Sequence, residues 1–157
     1  MSERSARPHI QVRAATAADI PALFSVRTSV RENHLDLARL AERGVTPASV
    51  AAMLDDTDAH VVVTEDGDAV VGFSMADGRT GTVTALFVDP TVEGRGYGRA
   101  LLRAAEDWLF AAGWKTIRLQ TGEEAYTRAH RFYRAAGWTM AGVADHGDVW
   151  YEKQRAV

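Results

Sequence analysis

Apolar residues first recur in a short strand-like run, His9 to Ala14, and then at helical spacing through Ile20, Leu23, Phe24 and Val30. Thr16 stands at the cap position of that helix, with Pro21 in its first turn. Polar, mixed-charge chain beginning Arg31-Glu32-Asn33-His34 follows. Thr46-Pro47, a cap residue followed by proline at the first helical position, opens a second helix running to about Asp55. Three runs rich in Val and Phe come next: His60–Thr64, Ala69–Met75 and Thr82–Val88. Glu65-Asp66-Gly67-Asp68 separates the first two, and Asp77-Gly78 lies between the second and third. Asp-Gly between apolar runs is a hairpin signal, so the three read as an antiparallel meander.

The period then changes. Leu101, Leu102, Ala105, Trp108, Leu109 and Ala112 form one stripe of a helix over 97–112, and Gly113 fits its C-cap. Thr116–Gln120 reads as a strand. Thr121 and Glu124 have capping-box spacing and open a helix with Ala125, Ala129, Phe132, Tyr133 and Ala136 inward, closed by Gly137. Two last strands, near 138–144 and 148–153, flank Asp145-His146-Gly147. No repeat or linker interrupts this order. The expectation is one α/β (α+β) domain over residues 1–157, its core about 9–153, with a mostly antiparallel sheet of about seven strands and about four helices.

Composition narrows the function. The chain has 157 residues, enough to bury a core without staples, and no cysteine, which removes disulfides, thiolate metal sites and thiol nucleophiles. Eighteen Lys and Arg against 21 Asp and Glu give a net charge of -3, which argues against a nucleic-acid binder with a broad basic face. No apolar run approaches the ~18 residues of a membrane span, and Met1–Pro8 has no apolar signal core, so the expected location is cytoplasmic. The five histidines lack metal-ligand spacing, and no metal is expected.

The chemistry points to one loop. Asp89-Pro90 ends the third meander strand, and Glu93-Gly94-Arg95-Gly96-Tyr97-Gly98-Arg99 opens the long helix. Glycines at a helix start let consecutive N–H groups turn toward one anion, and the helix dipole adds favourable potential. Arg95 and Arg99 add positive charge at the rim, so the loop reads as a phosphate or pyrophosphate cradle. A P-loop would need Gly-Lys-Ser/Thr where Gly98-Arg99-Ala100 stands. A dinucleotide fingerprint would need glycine at position 99 and a parallel βαβ setting. A tight strand-to-helix turn with no ligand is the plainer alternative.

Two segments together carry a resemblance. Leu86-Phe87-Val88-Asp89-Pro90, Glu93 to Arg99 and Ala100-Leu101-Leu102 resemble the acetyl-CoA motif of the GCN5-related N-acetyltransferase (GNAT) family, Q/R-x-x-G-x-G/A after the fourth strand. Ala129-His130-Arg131-Phe132-Tyr133, followed by Ala136-Gly137-Trp138, is similar to its second motif, whose tyrosine approaches the thioester sulfur. The order of elements matches from 9 to 153. Glu93 departs from the usual Gln or Arg, at a point where the pyrophosphate contacts are largely backbone N–H. Tyr126 stands where many members carry an asparagine that contacts the cofactor.

The resemblance implies direct attack of an amine on acetyl-CoA. It places cofactor contacts at Leu86, Phe87, Val88, Glu93, Gly94, Arg95, Gly96, Tyr97, Gly98 and Arg99, with an oxyanion donor in the backbone of 86–88, where the fourth strand splays from the fifth. It makes Tyr133 the general acid for the departing thiolate, since a phenol of pKa near ~10 is protonated at neutral pH. On spacing alone Tyr133 also fits a core aromatic. No general base is assigned: the fifth-strand position holds Gln120, and Glu32 and His34 are candidates that equally fit a solvated loop. The implied partners are acetyl-CoA and a small amine or peptide amine, without nucleic acid or membrane. An acyl-CoA sensor on the same fold is the alternative function. A homodimer is expected from family habit and from Trp138, Trp150 and Tyr151 in the C-terminal strands. Asp55, Asp56 and Asp58 read as a solvated edge rather than a cation site.

Overall fold

A computed structural model of the chain describes residues 9–30, 35–122, 126–144 and 147–156. Seven strands form one sheet in the order β1-β2-β3-β4-β5-β7-β6. They are β1 (Val12–Ala14), β2 (Ala59–Asp66), β3 (Ala69–Asp77), β4 (Thr82–Val88), β5 (Thr116–Thr121), β6 (Thr139–Val143) and β7 (Val149–Gln154). Five α-helices accompany them: α1 (Ile20–Ser29), α2 (Leu37–Glu42), α3 (Pro47–Leu54), α4 (Tyr97–Ala111) and α5 (Tyr126–Ala135). Every neighbouring strand pair is antiparallel except β4 and β5. The expected α+β class therefore stands, with one helix more than the sequence pattern showed.

That extra helix is α2. It is six residues long and opens on Asp36, whose carboxylate accepts the Arg39 N–H. Only Leu40 is buried, too little for a periodicity to register. The first strand is shorter than His9–Ala14, and a 3-10 turn over Ala17–Asp19 precedes α1. There the Asp19 carboxylate accepts the Thr16 N–H at 2.8 Å and takes two guanidinium hydrogen bonds from Arg13, which hold its pKa down at about 2. Asp77-Gly78 is not a two-residue turn. Asp77 pairs with Thr82 as the last rung of β3 and β4, and positive φ falls on Gly81 instead.

Adjacent residues of β3 show the layering. Phe73 joins the cluster formed by Ile20, Leu23, Val26, Val50, Val61 and Val63 under α1 and α3. Ser74, on the opposite face, donates its hydroxyl to the Leu101 carbonyl of α4. The stripe of α4 then packs Leu102, Ala105 and Leu109 with Ile117, Leu119, Trp138 and Tyr151 in the second cluster. Ala112 of the expected stripe is exposed, whereas Glu106 is buried. Trp138 and Tyr151 are also buried within this one chain, and the Arg118 guanidinium lies 4.4 Å from the Trp150 ring centre. Two of the three aromatics from which a homodimer was expected, Trp138 and Tyr151, thus lie in the chain's own core, while Trp150 is half-buried.

Candidate active site

The one parallel junction of the sheet opens a cleft. Thr82 lies opposite Arg118 and Val83 opposite Leu119, and the β4–β5 ladder ends there. On its other side, β4 pairs Val83 with Ala76 and Ala85 with Met75, so Thr84 is the extra residue of a bulge. A bulge bends its strand and raises the local twist. Beyond the end of the β4–β5 ladder, Leu86, Phe87 and Val88 border a cleft of about 770 Å³.

The next wall is the loop into α4. Asp89 closes β4 by donating its N–H to the Val71 carbonyl, and its carboxylate accepts the Thr91 N–H. After a 3-10 turn the chain bends through Gly94 at φ +79° and Gly96 at φ +96°; Gly96 is the N-cap of α4. Residues with a Cβ rarely adopt this conformation, so both glycines are required by the bend itself. The first N–H groups of the 15-residue helix that follows, on Tyr97, Gly98 and Arg99 at the border of the cleft, have no helical acceptors.

The third wall is α5. Gly137, at φ +89°, ends the helix with a paired set of bonds, Trp138 N–H to the Tyr133 carbonyl at 2.9 Å and Gly137 N–H to the Arg134 carbonyl at 3.0 Å. The same motif sets Trp138 against Tyr133, ring centres 6.2 Å apart. Tyr151 at 5.4 Å and Phe132 at 5.2 Å complete the packing around the phenol ring. Burial, with a smaller contribution from Tyr151, pushes the Tyr133 phenol up to about 12. It keeps its proton throughout the neutral range.

Of the residues singled out in the sequence, Leu86, Phe87, Val88, Glu93, Gly94, Gly96, Tyr97, Gly98, Arg99 and Tyr133 all border this cleft. Arg95 does not: its guanidinium points to Asp66, 3.8 Å away. Residues that the pattern did not single out as cofactor contacts also border it, among them Val30, Thr121, Ala129 and Arg128, the last ion-paired with Glu93. Nothing local marks that pair, because its members are 35 positions apart. The expected capping box is corrected in part, since Thr121 is the last residue of β5, while Glu124 and Ala125 lie outside the described residues. So do Glu32, His34 and the side chain of Tyr126. Gln120 donates to Asp148. His130, buried edge-on to Tyr151, is an inward residue of α5 that the stripe omitted.

Comparison with known proteins agrees with this geometry. Residues 24–138 match the acetyltransferase (GNAT) family. The chain belongs to that family. It is 34% identical over 134 residues to a mycothiol acetyltransferase of Sanguibacter keddieii, a match covering 80% of this chain and 42% of that protein. It is 32% identical over 123 residues to the peptidyl-lysine N-acetyltransferase YjaB of Salmonella typhimurium, covering 78% of each. The chain spans less than half the length of the mycothiol acetyltransferases it matches. Its fold superimposes on PaiA N-acetyltransferase of Thermoplasma acidophilum, solved with coenzyme A, with a TM-score of 0.78 at 15% identity, covering 94% of this chain and 99% of the other.

Proposed function

We propose that this GNAT member is an N-acetyltransferase that moves the acetyl group of acetyl-CoA to a primary amine by direct attack. The observation that carries the reading is the cleft itself. It joins a helix N-terminus preformed for an anion, an unpaired stretch of strand and a protonated phenol. A volume of about 770 Å³ is of the size that cofactor clefts have.

Acetyl-CoA supplies the acetyl group already activated as a thioester. The N–H groups at the start of α4 would hold its pyrophosphate, and the free edge of Leu86–Val88 would pair with the amides of its pantetheine arm. A backbone N–H in the same stretch would take the charge that develops on the carbonyl oxygen as the amine nitrogen bonds to the carbon. As the carbon–sulfur bond breaks, the Tyr133 hydroxyl would protonate the leaving sulfur. The amine must surrender a proton, and no residue is assigned to receive it. The similar proteins are named for different acceptors, mycothiol and peptidyl-lysine among them, so the reading goes no further than a primary amine.

Coenzyme A at millimolar concentration should raise the melting temperature by several degrees through mass action. An unchanged melting curve removes the cofactor reading. Consumption of acetyl-CoA with a panel of amines then separates an enzyme from an acyl-CoA sensor, which would be stabilised without turning over.

A further inference from the structure

We infer that Glu93 is a built-in competitor for the phosphate site: its carboxylate holds Arg128 across the mouth of the cleft until a phosphate of the cofactor takes that guanidinium over. The inference rests on the reading of the cleft as a coenzyme A site.

Glu93 and Arg128 come from opposite walls. Glu93 precedes the glycine bend into α4, Arg128 lies in the first turn of α5, and both border the cleft. Their ion pair therefore spans the opening beside the first N–H groups of α4. Both side chains keep substantial exposure, 37% for Glu93 and 60% for Arg128, so the pair is weak and can exchange partners. A carboxylate at this point is also wrong for the ligand: it adds negative charge next to a helix terminus whose backbone donors and dipole favour an anion. Arg128 cancels that charge while the cleft is empty. A pyrophosphate, carrying more charge than a carboxylate, is the better partner for the same guanidinium and repels Glu93 from it. Cofactor binding then has to displace one ion pair and to tolerate one like charge, and both costs lower affinity without touching the backbone cradle.

The two substitutions should therefore act with opposite sign. Glu93→Gln keeps the size of the side chain, removes the carboxylate that pairs with Arg128 and removes the like charge. It should tighten coenzyme A by about threefold to tenfold, measured by titration calorimetry in about 50 mM salt, and the gain should shrink in about 500 mM salt. Arg128→Gln leaves the carboxylate unshielded and should weaken coenzyme A by about tenfold. Pantetheine, which has no phosphate, should show no difference among the three proteins. If both substitutions weaken coenzyme A, the pair is a structural clamp that holds the cleft in shape, and the inference fails. It fails equally if Glu93→Gln leaves the affinity unchanged. Should the unsubstituted protein show no binding of coenzyme A, the reading of the cleft falls and the role of Glu93 falls with it, an outcome distinct from the two in which coenzyme A binds and only the inference fails.

Discussion

The two ends of the cleft are made of different material. At the α4 end the groups that would face an anion are backbone: a bend through Gly94 and Gly96 and the N–H groups of the following turn. At the α5 end the group at issue is one side chain, Tyr133, packed against Phe132, which also borders the cleft, and against the buried Trp138 and Tyr151. A backbone site keeps its donors when the side chains beside it change, so a carboxylate at Glu93 tunes such a site rather than abolishing it. It does not tolerate a Cβ where the bend needs positive φ. A side-chain site behaves the other way, since its reactive atom can be removed with the fold left in place.

Tyr133→Phe tests the side-chain end and carries the largest expected effect. The ring and its packing against Phe132, Trp138 and Tyr151 survive, and only the proton donor goes. Turnover should fall by about 10²-fold with little change in the KM for acetyl-CoA. Because burial pushes the phenol up to about 12, turnover by the unsubstituted protein should show no alkaline loss from this group between about pH 6 and about pH 9. Equal kcat values for the two proteins would remove Tyr133 from the chemistry and leave it a packing residue.

Gly96→Val tests the backbone end. The left-handed conformation at φ +96° costs a branched residue about 1–2 kcal/mol, and a Cβ there would come within 3.3 Å of Ile10 Cδ1. Any relaxation that relieves the strain turns the N–H groups of the bend away from the cleft. Coenzyme A affinity should drop by about tenfold or more while the folded protein persists. An unaltered affinity in a folded variant would mean that the bend is only a connection between β4 and α4.

What the sequence made legible follows the same division. The glycine loop was readable because its signal is local, three glycines and two arginines within a single turn of chain, and the structure departs from it only in turning Arg95 to Asp66. Tyr133 stood out less from the pattern, which equally allowed a core aromatic; the motif around it favours the proton donor, and Tyr133→Phe decides between the two. Buried polar groups were not legible at all. The inward stripes of α4 and α5 left out Glu106 and His130, yet Glu106 is held by Lys153 from 47 positions away and His130 packs on Tyr151 of β7. The bulge at Thr84 was equally hidden, because it is a mismatch between two ladders and not a property of either strand.

Trp138→Phe asks whether the support behind Tyr133 is separable from the chemistry in front of it. The indole N–H donates to Glu106 at 2.8 Å, and Lys153 takes the other carboxylate oxygen at 2.7 Å while also donating to the Ala136 carbonyl at 2.8 Å. Phenylalanine cannot donate, so one oxygen of a buried carboxylate loses its partner, and the smaller ring leaves space where Trp138 is 1% exposed. Together these should cost about 2–4 kcal/mol, lowering the melting temperature by roughly 5–12 °C. The bonds that end α5 survive, because the Trp138 group in them is its backbone N–H. Tyr133 thus keeps its place in the chain and most of its ring contact. Below the melting range kcat should fall less than about threefold, and coenzyme A affinity should not move. That is the reverse of the pattern expected for Tyr133→Phe, with stability lost and turnover kept. Should Trp138→Phe instead depress kcat as far as Tyr133→Phe does while the melting temperature holds, the indole is what aims the phenol. The α5 end would then be a two-residue device rather than a single reactive group on an independent support.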